Sequence, residues 1–462
     1  MAKKEIYLDH ASTTYVRSEV VQAMLPFLEH KFGNPSSLHR LGLEAKSAVD
    51  ESRQKIASIL NCKSNEIIFT GGGTESINLT IKGVALLKGK GHIITSTIEH
   101  PAVLETCRYL EKKGFNVTYL KVDDDGLISI KELEKAICND TILISIMYAN
   151  NEIGTVEPIV EIGKMAKKHK ILFHTDACQA AGALELDVNK LGVDLMTING
   201  SKIYGPKGIG LLYKHAEVKL EPLIHGGGQE LGLRSGTENV AGMIGLAAAL
   251  ELAQKEKDKE NKRLVELREE LIKNTLKKIP KSFLNGHPTK RLPNNVNISF
   301  LDVEGESIML YLNEYGVYVS TGSACSSQKL QISHVLNAIG LKHDAAHGSI
   351  RFTLGKKTTT ADIDYVLKVL PPIIDSLRKI SPVKMKMSEI REKKKHVHSI
   401  IKSKSPQVSE RVRREVNSFR CGSLLMLLRN RMLPTGTQHQ RVDVEDFEDA
   451  MPVQRGETNE RC

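Results

Sequence analysis

Short runs rich in β-branched residues alternate with helical stretches between residues 66 and 213, and this alternation constrains the fold most strongly. Strands joined through helices favour a parallel sheet, because each crossover returns the chain to start the next strand in the same direction. The pattern predicts an α/β fold with a mostly parallel sheet flanked by helices. The strands are predicted at residues 67–70, 92–96, 116–122, 141–148, 171–175, 193–199 and 208–213.

Polar residues are concentrated directly after three of the predicted strands. They occupy residues 71–76 after the first strand, 150–152 after the fourth, and 174–179 at the end of the fifth. Ligands bind at the carboxyl ends of strands in open parallel sheets. The sequence therefore predicts a ligand site at this edge of the sheet.

The segment Gly71 to Ser76, which begins with three glycines, lies between the first predicted strand and a helix. Free N–H groups and the dipole at a helix N-terminus favour an anion such as a phosphate. An ordinary strand-to-helix turn is the alternative interpretation. The segment lacks the glycine spacing of nucleoside triphosphate and dinucleotide loops, so a smaller phosphorylated ligand is favoured.

Asp176 and Lys202 each follow an apolar strand. A lysine that holds a carbonyl carbon as an imine and an acid that protonates a pyridine nitrogen are the groups that pyridoxal phosphate chemistry requires. Taken singly, each residue is more often a surface charge. Their joint position at neighbouring strand ends favours the cofactor hypothesis.

His100 and Cys325 are the other two candidate reactive residues. His100 precedes Pro101 at a predicted helix start, so it is either a neighbour of the helix cap or an imidazole stacked on the cofactor ring. Cys325 lies among small polar residues. Most cysteines are buried and inert, but this setting predicts a mobile, solvent-accessible thiol.

The chain is long enough for two cores and a tail, since domains usually have 50 to 250 residues. A long helix is predicted at residues 251–279, and its start is taken as the hinge into a smaller α+β domain. We predict a large cofactor-binding domain at residues 16–255. A small domain with the cysteine loop is assigned to residues 1–15 and 256–382, and residues 383–462 are predicted to form an atypical charged, disordered tail.

The net charge of +10 is unevenly distributed. Residues 385–414 contain ten Lys or Arg and three Asp or Glu, so most of the excess belongs to the predicted tail. A basic tail could dock RNA, but charge runs without interleaved aromatic residues more often form a solvated extension. Nucleic acid is therefore not favoured as a partner.

The seven cysteines include no Cys-x-x-Cys pair, which favours reduced thiols over a disulfide framework or a structural zinc site. The first residues form no apolar leader, and no stretch stays uncharged for the roughly 18 residues that a spanning helix requires. We expect a soluble, cytoplasmic protein without a membrane partner.

From Tyr7 to about Ile380 the chain resembles the cysteine desulfurases of the NifS and IscS kind, within the class V aminotransferase-like group. The resemblance implies the type I fold of pyridoxal phosphate-dependent transferases and pyridoxal 5'-phosphate as cofactor. It rests on YLDHASTT at residues 7–14, FGNPSSLH at 32–39, EIIFTGGGTES at 66–76, IEHPAV at 98–103, ANNEIG at 149–154, KIYGPKG at 202–208, RSGTEN at 234–239 and GSACSS at 322–327.

The resemblance also implies a role for each matching residue. Lys202 would hold the cofactor as an imine, Asp176 would pair with the pyridine nitrogen, Gln179 would contact the phenolic oxygen and His100 would stack on the ring. Phosphate and further cofactor contacts are implied for Gly73, Thr74, Asn151, Asn199, Ser201 and, from a partner subunit, Thr237. A homodimer with shared sites is therefore expected.

One departure from the family pattern concerns the phosphate. The family usually has Ser-Gly-His-Lys where this chain has Asn199-Gly200-Ser201-Lys202. Asn and Ser side chains can still donate hydrogen bonds. We expect a usable cofactor site whose affinity these two changes can lower.

The activity implied by the resemblance is removal of sulfur from L-cysteine. Asn151 and Arg351 would hold the substrate carboxylate, and Cys325 would take the sulfur as a persulfide for iron–sulfur cluster or thio-cofactor assembly. No metal site is expected within the protein alone, although Cys325 is a candidate cluster ligand on a scaffold partner. Two alternatives are a weakened scaffold that binds sulfur-acceptor proteins and a sulfur donor in tRNA thiolation.

Overall fold

The computed structural model describes residues 5–321 and 333–391 of the chain. Its strands are β1 (Ile6–Tyr7), β2 (Ile67–Thr70), β3 (His92–Ser96), β4 (Asn116–Leu120), β5 (Thr141–Ser145), β6 (Leu172–Asp176), β7 (Leu195–Asn199), β8 (Gly210–Lys214), β9 (Ser282–Leu284), β10 (Asn295–Phe300), β11 (Val317–Tyr318) and β12 (Ser349–Thr353). Its α-helices are α1 (Ser18–Glu29), α2 (Arg40–Leu60), α3 (Gly73–Lys88), α4 (Pro101–Glu111), α5 (Ile130–Ala136), α6 (Ile159–His169), α7 (Val188–Leu191), α8 (Val240–Lys278), α9 (Gly305–Glu314), α10 (His334–Ala338), α11 (His343–His347) and α12 (Thr360–Ile380). None of the helices in the described ranges is long and apolar enough to cross a membrane.

Seven strands form the central sheet, in the order β2-β8-β7-β6-β5-β3-β4. Every neighbouring pair from β7 to β4 is parallel, whereas β8 runs antiparallel to both β2 and β7. The mostly parallel sheet predicted from the alternation of strands and helices is confirmed. All the strand ends that carry the candidate residues, those of β2, β3, β5, β6 and β7, therefore point to one edge.

Helices cover both faces of this sheet. Ile68 and Ile93 pack with α3 and α4, while the next residues along the same strands, Phe69 and Ile94, pack with α2, α6 and α8. Successive strand side chains point to opposite faces, so strands that are apolar throughout are buried on both sides. This explains why the sequence shows continuous apolar runs at these strands.

Helix α8 runs from the first core into the second and begins earlier than predicted. It starts at Val240, where the side chain of Asn239 caps it by accepting a hydrogen bond from the Gly242 amide (3.0 Å), and not at residue 251. Its first three turns are buried on the large sheet and contain almost no polar residue, so no helical period marks them in the sequence. The predicted domain division at residue 255 falls inside this helix and stays a prediction.

The second core surrounds the antiparallel sheet β12-β10-β9. Apolar residues of α9, α12 and the second half of α8 pack against it. The N-terminal segment joins this part of the chain, because β1 pairs with β11 and Asp9 forms a bridge with Thr353. This segment then continues toward the central sheet, where it contacts the candidate site.

The first residues of the predicted tail are packed, which corrects the expectation of disorder for residues 383–391. Met385 is buried beside Leu301 and Ala345, and its amide donates to Asp302 Oδ1 (2.7 Å). Arg391 forms an ion pair with Asp124 (2.5 Å). Burial of a methionine between charged residues has no periodic signal, so the sequence did not reveal it. Residues 392–462 lie outside the described residues.

Candidate active site

Asp176 and Lys202 lie at the same edge of the central sheet. Asp176 is the last residue of β6 and pairs with Thr197 of the adjacent parallel strand β7. That strand ends at Asn199, and Lys202 closes the single 3-10 turn that follows. The carboxylate is largely buried, at 8% exposure. The two groups are therefore held on neighbouring strand ends, as the sequence predicted.

The Lys202 amine is held by the N-terminal segment. Its Nζ donates to the carbonyl oxygens of Ala11 (2.9 Å) and Ser12 (2.5 Å). Gln179 Nε2 donates to the same Ala11 oxygen (3.0 Å). The two side chains predicted to face the cofactor thus converge on one carbonyl group.

His100 is the N-cap of α4, rather than a neighbour of the cap. Its Nδ1 accepts a hydrogen bond from the Ala102 amide (3.1 Å), so the neutral ring carries its proton on Nε2. Burial lowers the pKa of His100, the charge of Asp176 raises it and that of Lys202 lowers it. The charges of Asp176 and Lys202 thus both act on this imidazole, which follows β3 at the same edge of the sheet.

The glycine triplet forms a narrow turn at the start of α3. Gly72 has φ +148°, which a residue with a side chain rarely adopts, and a methyl group on Gly73 would lie 2.9 Å from Cys178 Sγ. Thr74 is exposed in the first helical turn, whereas Ser76 is buried and its hydroxyl is hydrogen-bonded to Thr70 (2.7 Å). The free main-chain N–H groups and the Thr74 hydroxyl are the donors that this turn offers to an anion.

Asn199 and Ser201, the two residues that depart from the family pattern, make different contacts. Asn199 lies against the glycine turn, because a methyl group on Gly73 would be 3.5 Å from Asn199 Cβ. Ser201 is fixed through its carbonyl oxygen, which accepts from the amide (2.9 Å) and the hydroxyl (3.0 Å) of Thr14. The Asn199 side chain thus lies beside the start of α3.

Thr237 is exposed in a segment that is attached to the same glycine turn. Arg234 Nε forms a hydrogen bond with Glu75 Oε1 (3.0 Å), and the other oxygen of Glu75 accepts from the Gly71 amide (2.9 Å). The segment therefore lies near the turn of its own chain. The predicted contribution of Thr237 to a partner subunit stays a prediction.

Arg351 joins Asn151 to the N-terminal segment. Its Nη1 donates to the Asn151 carbonyl (3.1 Å), and its Nη2 donates to Asp9 Oδ1 (2.8 Å) and Ser12 Oγ (2.7 Å). Nε is buried without a partner in the described part of the chain. A planar fork with an unused donor suits a carboxylate. Because Ser12 also contacts Lys202, the arginine and the lysine belong to one site.

The described residues fit pyridoxal 5'-phosphate. The glycine turn offers main-chain donors beside Asn199, and the turn is too narrow for a side chain at residue 73. Asp176 supplies an acid, and Lys202 supplies a primary amine held by neutral carbonyl groups. These are the donor types that a phosphate, a pyridine nitrogen and an aldehyde require.

Cys325, the predicted nucleophile, lies outside the described residues, between Thr321 and Ser333. Its role is therefore an interpretation of the sequence. Across residues 5–321 and 333–391, no group of three or more His, Cys, Asp or Glu side chains could hold a metal ion.

Sequence reasoning assigned no role to the half-buried Cys178 or to the buried Glu99, which both lie next to candidate residues. Burial raises the pKa of the Cys178 thiol, and the charge of Asp176 raises it further. Burial also raises the pKa of Glu99 to about 8, although Oε1 accepts from Ser96 Oγ (2.7 Å) and the Met147 amide (3.0 Å). Their only signal in the sequence is that they lie next to candidate residues.

Comparison with known proteins identifies the family. The family described as Aminotransferase class-V matches residues 6–366, well over half of the chain. The chain belongs to this family. A curated relative of this chain is the cysteine desulfurase IscS of Dictyoglomus turgidum, which is 58% identical over 385 residues, 83% of this chain and 98% of that protein.

Solved structures of similar proteins share the fold of this chain. A NifS-like protein superposes with a TM-score of 0.77 at 40% identity, over 81% of this chain and all of that chain (100%). A structure titled SspA in complex with cysteine has a TM-score of 0.67 at 39% identity, over 76% of this chain and 98% of that one. The predicted family and fold are confirmed.

Proposed function

We propose that this protein is a pyridoxal phosphate-dependent cysteine desulfurase, which converts L-cysteine to L-alanine and retains the sulfur as a persulfide. The observation that carries the proposal is the position of Asp176 and Lys202 on neighbouring strand ends, with Gln179 and His100 beside them. An acid, an amine and a neutral imidazole in this arrangement suit a pyridine ring that bears an aldehyde. A relative named cysteine desulfurase, matched over nearly its whole length, supports the substrate.

At the ring, pyridoxal phosphate supplies an electron sink that stabilises negative charge on the α-carbon of a bound amino acid. Asp176 would hold the protonated pyridine nitrogen, and Lys202 would hold the aldehyde carbon. His100 would cover a ring face, and Gln179 would donate to the phenolic oxygen. The Lys202 amine, once free, would carry protons to and from the substrate carbons.

At the phosphate, the first N–H groups of α3 and the Thr74 hydroxyl are the donors. Asn199 adds its amide from the end of β7, and Gly73 allows the close approach. Ser201 and, from a second copy, Thr237 complete the proposed set. Because Asn and Ser replace the residues usual in the family, we expect the affinity for the cofactor to be sensitive to both.

At the substrate, Arg351 and Asn151 bind the carboxylate and fix which bond faces the nucleophile. The Cys325 thiolate attacks the substrate sulfur, so an S–S bond forms and the substrate C–S bond breaks. The electron pair of the broken bond stays on the substrate carbon, which takes a proton and becomes the methyl group of alanine. His100 can donate from Nε2 to a sulfur that carries negative charge.

A homodimer is proposed as the functional form. Phe32, Leu38 and Leu231 are 69%, 90% and 66% exposed, and water-exposed large apolar side chains favour a protein contact. Arg53 of α2 pairs with Glu230 (2.5 Å), which ties α2 to the segment that carries Leu231 and Thr237. A second copy that covers these side chains would bring its Thr237 to the shared site.

The sulfur acceptor is proposed to be an iron–sulfur scaffold protein or another sulfur-carrier protein, to which the Cys325 persulfide passes its terminal sulfur. Location in the cytoplasm, where thiols stay reduced, is proposed with it.

The test is a comparison of wild type with Cys325→Ser and Cys138→Ser after loading with pyridoxal phosphate. Cys138 is an exposed thiol at the other end of the sheet and serves as the matched control. Wild type and Cys138→Ser should form alanine and, with a reductant, sulfide from L-cysteine. Cys325→Ser should bind cysteine and release no sulfide. Wild type without either product would contradict the proposed function.

A further inference from the structure

Ser333 is the first described residue after the cysteine loop, and all the hydrogen-bonding capacity of its hydroxyl is used. As the N-cap of α10, Ser333 Oγ accepts from the amides of Val335 and Leu336 (both 3.2 Å). Its single proton is donated to Oε2 of Glu152. A hydroxyl has one proton and two lone pairs, so this contact fixes its orientation completely.

Glu152 is held in place from both sides of its main chain. Its amide donates to Asn150 Oδ1 (2.9 Å), and its carbonyl accepts from Asn297 Nδ2 (3.1 Å). The side chain is buried, and burial raises the pKa of Glu152 to about 7, although Ser333 and the charge of Arg351 act to lower it. A buried carboxylate is costly unless it is hydrogen-bonded, and Ser333 provides such a bond.

The neighbour of Glu152 is Asn151, whose carbonyl accepts from Arg351 Nη1 (3.1 Å). One turn of the chain therefore contacts the proposed substrate arginine and the end of the cysteine loop through consecutive residues. His334 adds a second contact, because its Nε2 bonds to the carbonyl of Glu99 (2.9 Å), the residue before His100.

The other end of the loop is attached to Arg351 itself. The amide of Ser320 donates to the Arg351 carbonyl (3.2 Å), and the amide of Arg351 donates to the Ser320 carbonyl (2.7 Å). Ser320 is thus bonded to Arg351 directly, and Ser333 is linked to it through Glu152 and Asn151.

We propose that Glu152 and Ser333 are positioning residues, which fix the C-terminal end of the cysteine loop beside the substrate carboxylate so that Cys325 reaches the substrate sulfur. The proposal rests on the proposed function. Glu152 does not touch the substrate. It acts through Ser333, whose place in the fold it sets.

The experiment distinguishes the hydrogen bond between Ser333 and Glu152 from the other role of Ser333, which is to cap α10. Ser333→Asp keeps a good N-cap but places a carboxylate against that of Glu152, and Ser333→Asn keeps the cap with an amide that can donate to Glu152. The double variant Ser333→Asp with Glu152→Gln restores a donor and acceptor pair with the roles exchanged. All variants are compared as cofactor-loaded proteins.

Two quantities are measured: the dissociation constant of L-cysteine from the change in visible absorbance, and the rate of alanine formation in the first turnover without reductant. Ser333→Asp should slow alanine formation at least about 10-fold, because a misplacement of about 1 Å can cost that much or more. Its cysteine and cofactor affinities should stay within about 2-fold, because the Ser333 hydroxyl contacts Glu152 and the amides of α10 and not the guanidinium proposed to bind the substrate. Ser333→Asn and the double variant should recover most of the rate.

Three results would overturn the proposal: a wild-type rate in Ser333→Asp, no recovery in the double variant, or a parallel loss of cofactor and cysteine binding. The wild-type control keeps the two proposals distinguishable. A wild type that forms no alanine contradicts the proposed function and the positioning role with it. An active wild type with an unaffected Ser333→Asp contradicts the positioning role alone.

Discussion

Lys202 and Gln179 donate hydrogen bonds to the same oxygen, the carbonyl of Ala11, at 2.9 and 3.0 Å. The lysine comes from the end of β7, the glutamine from the turn after β6, and the acceptor from the N-terminal segment that also pairs with the second core. Three distant parts of the chain thus meet at the position proposed for the reactive end of the cofactor.

Replacement of Lys202 by Ala should abolish the visible absorbance of the loaded protein and reduce sulfide production by about 100-fold to 10,000-fold, the usual effect of removing a group that transfers protons. Lys219→Ala is the matched control, because Lys219 is an exposed lysine outside the site. Absorbance spectra and sulfide assays check both variants. Full activity in Lys202→Ala would show that this lysine takes no part in the reaction.

The structure also predicts a specific rescue in the glycine turn. Gly73→Ala should weaken binding of pyridoxal phosphate by about 10-fold or more, because the new methyl group would lie 2.9 Å from Cys178 Sγ and overpacking costs about 1–3 kcal/mol. Adding Cys178→Ala removes the obstructing sulfur and should restore much of the affinity. Titration of the apoprotein with cofactor measures the effect. Equal affinities in the single and double variants would show that the contact is irrelevant.

Arg351→Lys should raise the KM for L-cysteine by about 10-fold to 100-fold, since hydrogen bonds to charged groups contribute about 1.5–3 kcal/mol and lysine lacks the planar fork. Arg378→Lys is the control, because Arg378 is a partly buried arginine that bonds only carbonyl groups of the second core in the contacts described. Steady-state kinetics and thermal unfolding should be measured together. An unchanged KM at unchanged stability would assign the substrate carboxylate to another residue.

The buried carboxyl group of Glu157 should make the free energy of unfolding fall as the pH rises. Burial raises the pKa of Glu157 to about 8, so the folded protein keeps a proton that the unfolded chain loses above about 4.5. The free energy of unfolding should therefore fall between pH 4.5 and 8, by on the order of 1 kcal/mol or more for this carboxyl group. Denaturant unfolding of Glu157→Gln at pH 5.5 and 8 should show a smaller fall than wild type. An equal fall in the free energy of unfolding for wild type and Glu157→Gln would mean that Glu157 is ionised in the folded protein.

Two truncations test whether residues 383–391 contribute to stability. Removal of residues 392–462 should leave sulfide production and the melting temperature unchanged. Removal of residues 383–462 should lower the melting temperature by about 2–6 °C, because it exposes the Met385 site and breaks the Arg391–Asp124 ion pair. Thermal unfolding of both proteins provides the measurement. Equal melting temperatures would show that residues 383–391 contribute nothing to stability.

The sequence predicted much of this site because strand ends are visible in it. Asp176, Lys202 and His100 follow apolar runs, and the geometry of a parallel sheet then brings such residues to one edge. Contacts made through main-chain atoms or across long separations leave no such pattern. The contact of Lys202 with the Ala11 carbonyl and the contact between Glu152 and Ser333 are examples. The start of α8 and the burial of Met385 also lack a periodic signal in the sequence.

The most direct test of the central claim is to find which lysine binds the cofactor. The wild type is loaded with pyridoxal phosphate, reduced with borohydride, digested and mapped by mass spectrometry. The account predicts a single cofactor adduct on the peptide that contains Lys202, with none in Lys202→Ala. An adduct on another lysine, or an unmodified wild type, would contradict it.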